Sequence, residues 1–385
     1  MAITKVRASS INLTTDTTFV DMAKGTTAQR PGGGATATIE YLLVGGGGGG
    51  SGWGAGGGAG GVLTGSFQIS SFDTLNLSIG SGGTPGGYDS SLGYFEGGDG
   101  VDTTLIFSGN PTLTALGGGH GGGYNSSNVG TNGGDGGSGG GAGGGSQSVN
   151  GSPGSGLIGQ GKNGGSAATG VTGSYGYPGA GGGGGAGAVG SNGSGMVGGN
   201  GGDGIQSSIT GVATYYGGGG AGQSPSTTNV ATGGQGGGGN GARYWNTSLV
   251  VSEIAATSGI DGLGGGGGGA SYPSAAGTGG SGVIILKVPT GNQLGLSSGA
   301  TPTLNPDGTV ANYTIYKFTS NANVVFTSSI DEGLIRFNTR YLQSSGMSTN
   351  VVSVVRFILD ALTLVVAITT CYTCCSRSSI FTLTN

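Results

Sequence analysis

The stretch Gly45–Gly61, GGGGGGSGWGAGGGAGG, is entered directly from the apolar run Ile39-Glu40-Tyr41-Leu42-Leu43-Val44 and limits what this chain can fold into. Glycine has no side chain to bury, and it loses more backbone freedom on ordering than any other residue. Such a tract is therefore either disordered or packed through its backbone. Of the 385 residues 101 are Gly and 10 are Pro, a composition that means low complexity unless a period organises it. Disorder, however, calls for high net charge and few aromatics. Here the formal charge is −4, and there are 14 Tyr, 10 Phe and 2 Trp.

A period is present within residues 117–282. Side chains recur at every third position in NGGDGGS (Asn132, Asp135, Ser138) and in VGGNGGD (Val197, Asn200, Asp203). Three residues per turn with a rise of about 3.1 Å describes a polyproline-II-type helix, which has no internal hydrogen bonds. Several such helices side by side can exchange N–H···O=C bonds at spacings that any Cβ would block. Glycine is then the residue that close packing requires.

Strand-like segments bracket the glycine region. Residues 35–44, 62–69, 72–79, 102–107 and 113–116 precede it, and Val283–Val288, Tyr313–Phe318 and Val324–Phe326 follow. They are short, bounded by turns and rich in β-branched residues. The later strands are expected to pair with those before residue 117. The fold expected is all-β: a short-strand, sandwich-like unit with a large glycine-rich insertion of packed polyglycine-II helices, and a short helix in the C-terminal tail. The segments are a lead-in or attachment piece (1–34), the glycine-rich β domain (35–290), a C-terminal β segment (291–346) and an apolar, Cys-containing tail (347–385).

In the tail, VVSVVRFILDALTLVVAITTCYTCC has the hydropathy of a membrane span, but Arg356 and Asp360 interrupt it. The clean apolar run after Asp360 is shorter than the roughly 20 residues a bilayer needs. On a helix these two charges, at i and i+4, would meet on one face. A buried or oligomerising segment, a membrane-inserting one and a disordered tail all remain open.

Chemistry-bearing motifs are sparse. Cys371, Cys374 and Cys375 are fewer than the four ligands of a structural zinc site, and the single histidine, His120, is far upstream. Gly156–Asn163 nearly spells a phosphate loop, but Asn163 stands where the hydroxyl residue belongs and no hydrophobic strand leads in. Gly97–Asp102 is similar to one unit of a calcium-binding β-roll, yet Thr104 occupies its apolar position and such rolls act in tandem, so a turn into the next strand is expected. His120 lies in GGGHGGG, with no apolar wall to orient a catalytic unit. Twelve Lys and Arg with a pI near 4.8 make no basic stripe for nucleic acid. The first residues have no apolar h-region of a secretory signal. A non-enzymatic protein without cofactor or metal is expected.

Aromatic segments punctuate the glycine runs: Tyr124–Val129, Gly173–Pro178, Thr210–Tyr216, Arg243–Asn246 and Ser271–Pro273. If the runs are rods, these are the bends and tips between them. Tyr175, Tyr177, Tyr244, Trp245 and Tyr272 are the candidates for contact with a flat or sugar-like surface. The same residues could equally serve as loop anchors packed on the rods.

The order of pieces carries a resemblance. YLLVGGGGGGSGWGAGGGAGGVLTG, LNLSIGSGG, VDTTLIF…TALGGGHGGG, ITGVATYYGGGGAG and LGGGGGGASYPSAAGTGGSGVIILKVP together resemble the glycine-rich domain of bacteriophage tail fibres and related virion proteins, over about residues 36–290. KGTTAQRP at 24–31 and Gly333–Thr339 are similar to phrases of fibre proteins. The tail after residue 346 has no counterpart in that family. The resemblance implies a virion surface protein, commonly a homotrimer, that contacts other virion proteins and binds a host cell-surface glycan or outer-membrane protein through the rod tips. The alternative is a head fibre, collar or decoration protein that only spaces or stabilises the particle.

Overall fold

The computed structural model describes residues 36–328 apart from 72, 90–92, 108, 126, 128, 146–148, 170–176, 226–228, 247–250 and 272–273, together with the backbone of strands outside that span. Every regular element among the described residues is a strand. β1 (Thr18–Asp21) and β2 (Thr26–Gln29) form an antiparallel hairpin in the lead-in segment. β3 (Thr36–Val44) and β4 (Val62–Ser70) pair along their full length, with the opening glycine tract between them. Next come β5 (Thr74–Ser78), the hairpin β6 (Gly87–Asp89) and β7 (Gly93–Phe95), then β8 (Thr103–Phe107) and β9 (Leu113–Ala115). Within the glycine region lie two hairpins, β10 (Ile205–Ser207) with β11 (Thr214–Tyr216), and β12 (Arg243–Asn246) with β13 (Val251–Ile254). β14 (Val283–Pro289), β15 (Asn292–Gly299), β16 (Thr303–Leu304), β17 (Tyr313–Phe318) and β18 (Ala322–Ser328) follow.

Ten of these strands make two antiparallel sheets, ordered β16-β17-β14-β3-β4 and β15-β18-β5-β8-β9. The expected closure is present: β14 pairs with β3 and β18 with β5, while β17 joins through β14. Strands on both sides of residue 290 thus share both sheets. Between the sheets lies a core that includes Ile39, Leu43, Ile69, Leu75, Leu105, Ile284, Leu286, Phe318, Val324 and Phe326, with Phe67 of β4 stacked on Phe107 of β8 at 4.3 Å. β3 alternates exposed and buried over its first four residues and is buried on both faces from Tyr41 on. The cause is a second cluster on the outer face of the first sheet. There Leu42, Val44, Val283, Ile285 and Ile315 pack under Tyr216 and the β10–β11 hairpin. The aromatic segment Thr210–Tyr216 therefore covers the sandwich instead of forming a rod tip.

The glycine segments form no sheet ladder, and their backbone bonds repeat every third residue. Gly45, Gly48 and Ser51 donate to the carbonyls of Gly61, Gly58 and Ala55; Gly46 and Gly49 donate to Val101 and Gly98; Gly47 and Gly50 donate to Gly280 and Gly277. The carbonyls of this rod, 45–51, accept from three further segments through Gly83 and Gly86, Gly118 and Gly121, and Gly267 and Ala270. Rod 45–51 thus has six neighbours. Rod 54–61 is surrounded in the same way: it donates to 116–122, 181–184 and 264–270, and accepts from 45–51, 138–141 and 220–223. This three-residue register, with three donating and three accepting neighbours, lets each of the two rods pair its N–H and C=O groups through backbone packing alone. A Cβ built on Gly46, Gly47, Gly48, Gly49 or Gly57 would lie well inside 3.0 Å of a neighbouring carbonyl. None of these glycines has a positive φ, so the array uses the missing Cβ and not glycine's conformational freedom. The opening tract does not run straight. It folds back at Trp53, whose φ is 46°, and supplies two of the rods that are surrounded on all sides.

The C-terminal tail differs from the expected short helix. β19 (Ile335–Phe337), β20 (Ser353–Asp360), β21 (Thr363–Tyr372) and β22 (Cys375–Leu383) form a four-stranded antiparallel meander. The physical reason is the crowding of β-branched residues, Val354 and Val355 in β20 and Thr363, Val365, Val366, Ile368, Thr369 and Thr370 in β21, which suit a pleated surface better than a helix. Arg356 and Asp360 are consequently about 13 Å apart along one strand and do not meet. No helix among the described residues is long and apolar enough to cross a membrane.

Candidate functional site

Topology decides which loops come together. The rod leaving β3 at Gly45 reaches Trp53 at its far end, and the rod leaving β9 reaches Tyr124 at the same end, because Ala55 donates to Gly122 and Gly61 to Leu116. Gly56 and Ala59 donate to Gly181 and Gly184 in a parallel sense, which sets Tyr177 and Pro178 at that end too. Ala270 donates to Ser51, a bridge joins Ser224 to Arg243, and the β6–β7 hairpin follows Gly86, which donates to Gly50. The distal end, about 20 Å from the sandwich for rods of this length, therefore gathers both tryptophans of the chain, Trp53 and Trp245, and a set of tyrosines.

Among the candidate residues, Tyr177 is half-buried in an aromatic triad. Its ring meets Trp53 edge-on at 4.1 Å and Tyr124 at 5.6 Å, with Trp53 and Tyr124 6.2 Å apart. Tyr124 is only 6% exposed. Tyr177 is thus an anchor that holds its loop to the first hairpin tip. Tyr244 and Trp245 lie in β12, opposite Glu253 and Ser252 of β13. Tyr175 and Tyr272 fall outside the described residues. Tyr88 and Phe95 on the β6–β7 hairpin are 50% and 45% exposed and were not singled out from sequence. Their signal was available as an aromatic hairpin between two glycine runs.

The one histidine has partners that the sequence reading missed. Asp99 Oδ1 accepts from both the backbone N–H of His120, at 2.8 Å, and ring Nδ1, at 2.6 Å. Glu96 lies 3.6 Å from Nε2. The hydrogen bond to Asp99, reinforced by the charge of both carboxylates, raises the His120 pKa above its ordinary value, and the same bond lowers that of Asp99. Residues 97–102, expected to be a turn, form a rod that displays Asp99 and Asp102 at the three-residue period, with Asp102 accepting from Gly117. Among the described residues no group of three or more His, Cys, Asp and Glu is arranged to hold a metal ion. Two shallow clefts, of about 340 and 260 Å³, lie on the sandwich and not among the distal loops.

No curated protein and no solved structure matches the chain. A family model described as a glycine-rich domain matches residues 22–289. The match spans the rods and the strands from β2 to β14, and stops before β15, β17 and β18 complete the two sheets. Matched over well more than half its length, the chain belongs to the glycine-rich domain family.

Proposed function

We infer that this protein is a non-enzymatic fibre or adhesin of a bacteriophage particle, which binds the host surface through the distal loops of its glycine array. The observation that carries this reading is polarity. β3 enters the sandwich at Thr36, nine residues from the first rod, and β18 leaves at Ser328, beyond the pairing of Val325 with the rod-remote Thr74. Both covalent connections thus leave one pole, and the aromatic loops occupy the other. A base that attaches and a tip that contacts is the layout a surface-binding fibre needs. The ordered pieces of sequence shared in style with tail fibres support the same assignment.

In this reading Tyr175, Tyr244, Trp245 and Tyr272, joined by the exposed Tyr88 and Phe95, contact a host glycan or outer-membrane protein. Aromatic faces with few charges suit sugar rings and apolar loops. Tyr177 holds the platform, and its packing against Trp53 is the feature that favours the spacer reading, in which the tips only brace the array. Homotrimers in contact with other virion proteins would project several such tips from each attachment point. The test is adsorption of labelled chain to the host bacterium. Replacing Tyr175, Tyr244, Trp245 and Tyr272 by Ala should abolish binding, whereas unchanged binding, or antibody label confined to the head or collar of the particle, would favour the purely structural role.

A further inference from the structure

The two rods surrounded on all sides, 45–51 and 54–61, carry nothing larger than the hydroxymethyl group of Ser51 and the methyl groups of Ala55 and Ala59, all fully buried. The outer rods differ: each presents one row of side chains at the three-residue period. Asn132 and Asp135 accept from the backbone N–H groups of Ser152 and Ser155 at 2.8 and 2.6 Å. Asn200 and Asp203 accept from Thr232 and Gln235 at 2.9 and 2.7 Å. Asn192 accepts from Ser166, and Asp261 from Ser281, both at 2.8 Å. The rod at 150–156 makes the meaning clear. Gly151 and Gly154 donate inward to Gly143 and Gly140, while Ser152 and Ser155 belong to a different one of its three faces. In a larger array that face would donate to the carbonyls of one more rod. A side-chain oxygen from the adjacent rod occupies the place of that missing carbonyl.

The same residues exclude a further rod sterically. Rods approach so closely that a Cβ at the contact would lie inside 3.0 Å of backbone atoms, and a row of Asn, Asp or Ser puts a Cβ at every third position. The outer rows therefore act twice, satisfying the N–H groups of the neighbouring rod and barring the approach of another.

We propose that the rows Asn132/Asp135 and Ser152/Ser155 terminate the array, and that the flank beneath them is a latent self-association surface that takes a glycine rod from a second copy of this chain. It is the counterpart, for glycine rods, of the charged residues that keep edge strands from pairing. The proposal is independent of what the distal loops bind. Three variants of the full chain test it by sedimentation across a concentration series, with native circular dichroism as the check on folding. The combined change Asn132→Gly, Asp135→Gly, Ser152→Gly and Ser155→Gly should give reversible species of at least twice the wild-type mass. The matching four-site Ala variant keeps the Cβ barrier, and should stay at wild-type mass while losing stability. Asp135→Asn keeps both acceptor and Cβ, and should match wild type in mass. Wild-type mass for the folded Gly variant, or equal association of the Ala variant, would overturn the proposal. Should the four-site Gly variant fail to fold, the equivalent change on the other flank, Asn200→Gly, Asp203→Gly, Thr232→Gly and Gln235→Gly, is read by the same two criteria.

Discussion

Substituting Gly57 by Ala tests whether the glycine tract is packed through its backbone. Gly57 lies in the middle of rod 54–61, donates to Gly267 and accepts from Gly220. An added Cβ would point at the carbonyl of Gly48 in the neighbouring rod, well inside 3.0 Å. Relief requires the two rods to move apart. They are joined by the bonds from Gly45 to Gly61, Gly48 to Gly58 and Ser51 to Ala55, at 2.9, 2.8 and 3.1 Å. At a net value of about 1 kcal/mol each, weakening all three costs about 3 kcal/mol, within the range of about 1–3 kcal/mol for overpacked cores. Against this, Ala restricts the unfolded chain and contributes about 0.4–1 kcal/mol in favour of folding. The φ of Gly57 is not positive, so the new residue brings no backbone strain. The expected net loss is about 2–3 kcal/mol.

The sign matters more than the size. In a disordered tract only the entropy of the unfolded chain could respond, and Gly57→Ala would leave stability unchanged. Equilibrium denaturation of the full chain, followed by the fluorescence of Trp53 at the rod tip and Trp245 in the distal hairpin, measures the difference. A denaturation midpoint equal to or above that of wild type would refute backbone packing of the array. Ala59→Gly is the companion measurement. Ala59 is fully buried, so losing its methyl group, with the added chain entropy of Gly, should destabilise by about 1–2 kcal/mol.

The remaining predictions concern the histidine clasp and the sandwich. His120 has its pKa raised above 6.5, so its contribution is fully present below pH 6.5 and is lost as pH rises through the higher folded value. Asp99 has its pKa lowered below 3.8, so its contribution is present above pH 3.8 and is lost as pH falls through the lower folded value. Proton NMR of the single imidazole should titrate above 6.5, and the stability gap between wild type and His120→Asn should shrink as pH rises from 6.5 through the folded value; a titration at or below 6.5 would contradict the clasp. Phe326, fully buried on β18, lies beyond the matched family segment that ends at residue 289. Phe326→Ala should nevertheless destabilise the whole domain by about 3–5 kcal/mol, and a single cooperative transition with a lowered midpoint would demonstrate that dependence.

Much of the architecture is legible because two different periods are written in the chain. Alternation marks Thr36-Ala37-Thr38-Ile39 and Thr74–Ser78 as half-buried strands, and both are exposed and buried in turn. The three-residue spacing of Asn132 with Asp135, and of Asn200 with Asp203, marks outer rods, and each of these residues bonds to the next rod. The same spacing was available in Glu96, Asp99 and Asp102, where likeness to a calcium-binding turn obscured it and hid the partners of His120. Rod direction has no such signature. Thr210–Tyr216 and Arg243–Asn246 look alike as aromatic punctuation, yet the first packs on the sandwich and the second sits at the distal end. The end at which a segment emerges depends on how many rods precede it and in which sense each runs. In the tail, a run of apolar β-branched residues has no polar alternation to separate strand from helix, and the choice falls to β propensity.

The division of labour among these parts explains why so much glycine is retained. A core of side chains couples every residue to its neighbours, so a changed loop that shifts its base disturbs the packing beneath. The glycine array has almost no side chains to repack. Its inner rods hold one another by hydrogen bonds between backbone atoms, as between Gly48 and Gly58 or Gly57 and Gly267, and these are indifferent to what lies beyond the rod ends. Among the described residues, side-chain contacts concentrate in the sandwich core at one pole, the outer Asx rows and the His120–Asp99 clasp along the flanks, and the Trp53–Tyr124–Tyr177 triad at the other pole. Because the rods are held by backbone bonds, the loops can change in sequence while the support stays the same, and the anchoring of Tyr177 on Trp53 marks the boundary between the part that must be kept and the part that is free to vary.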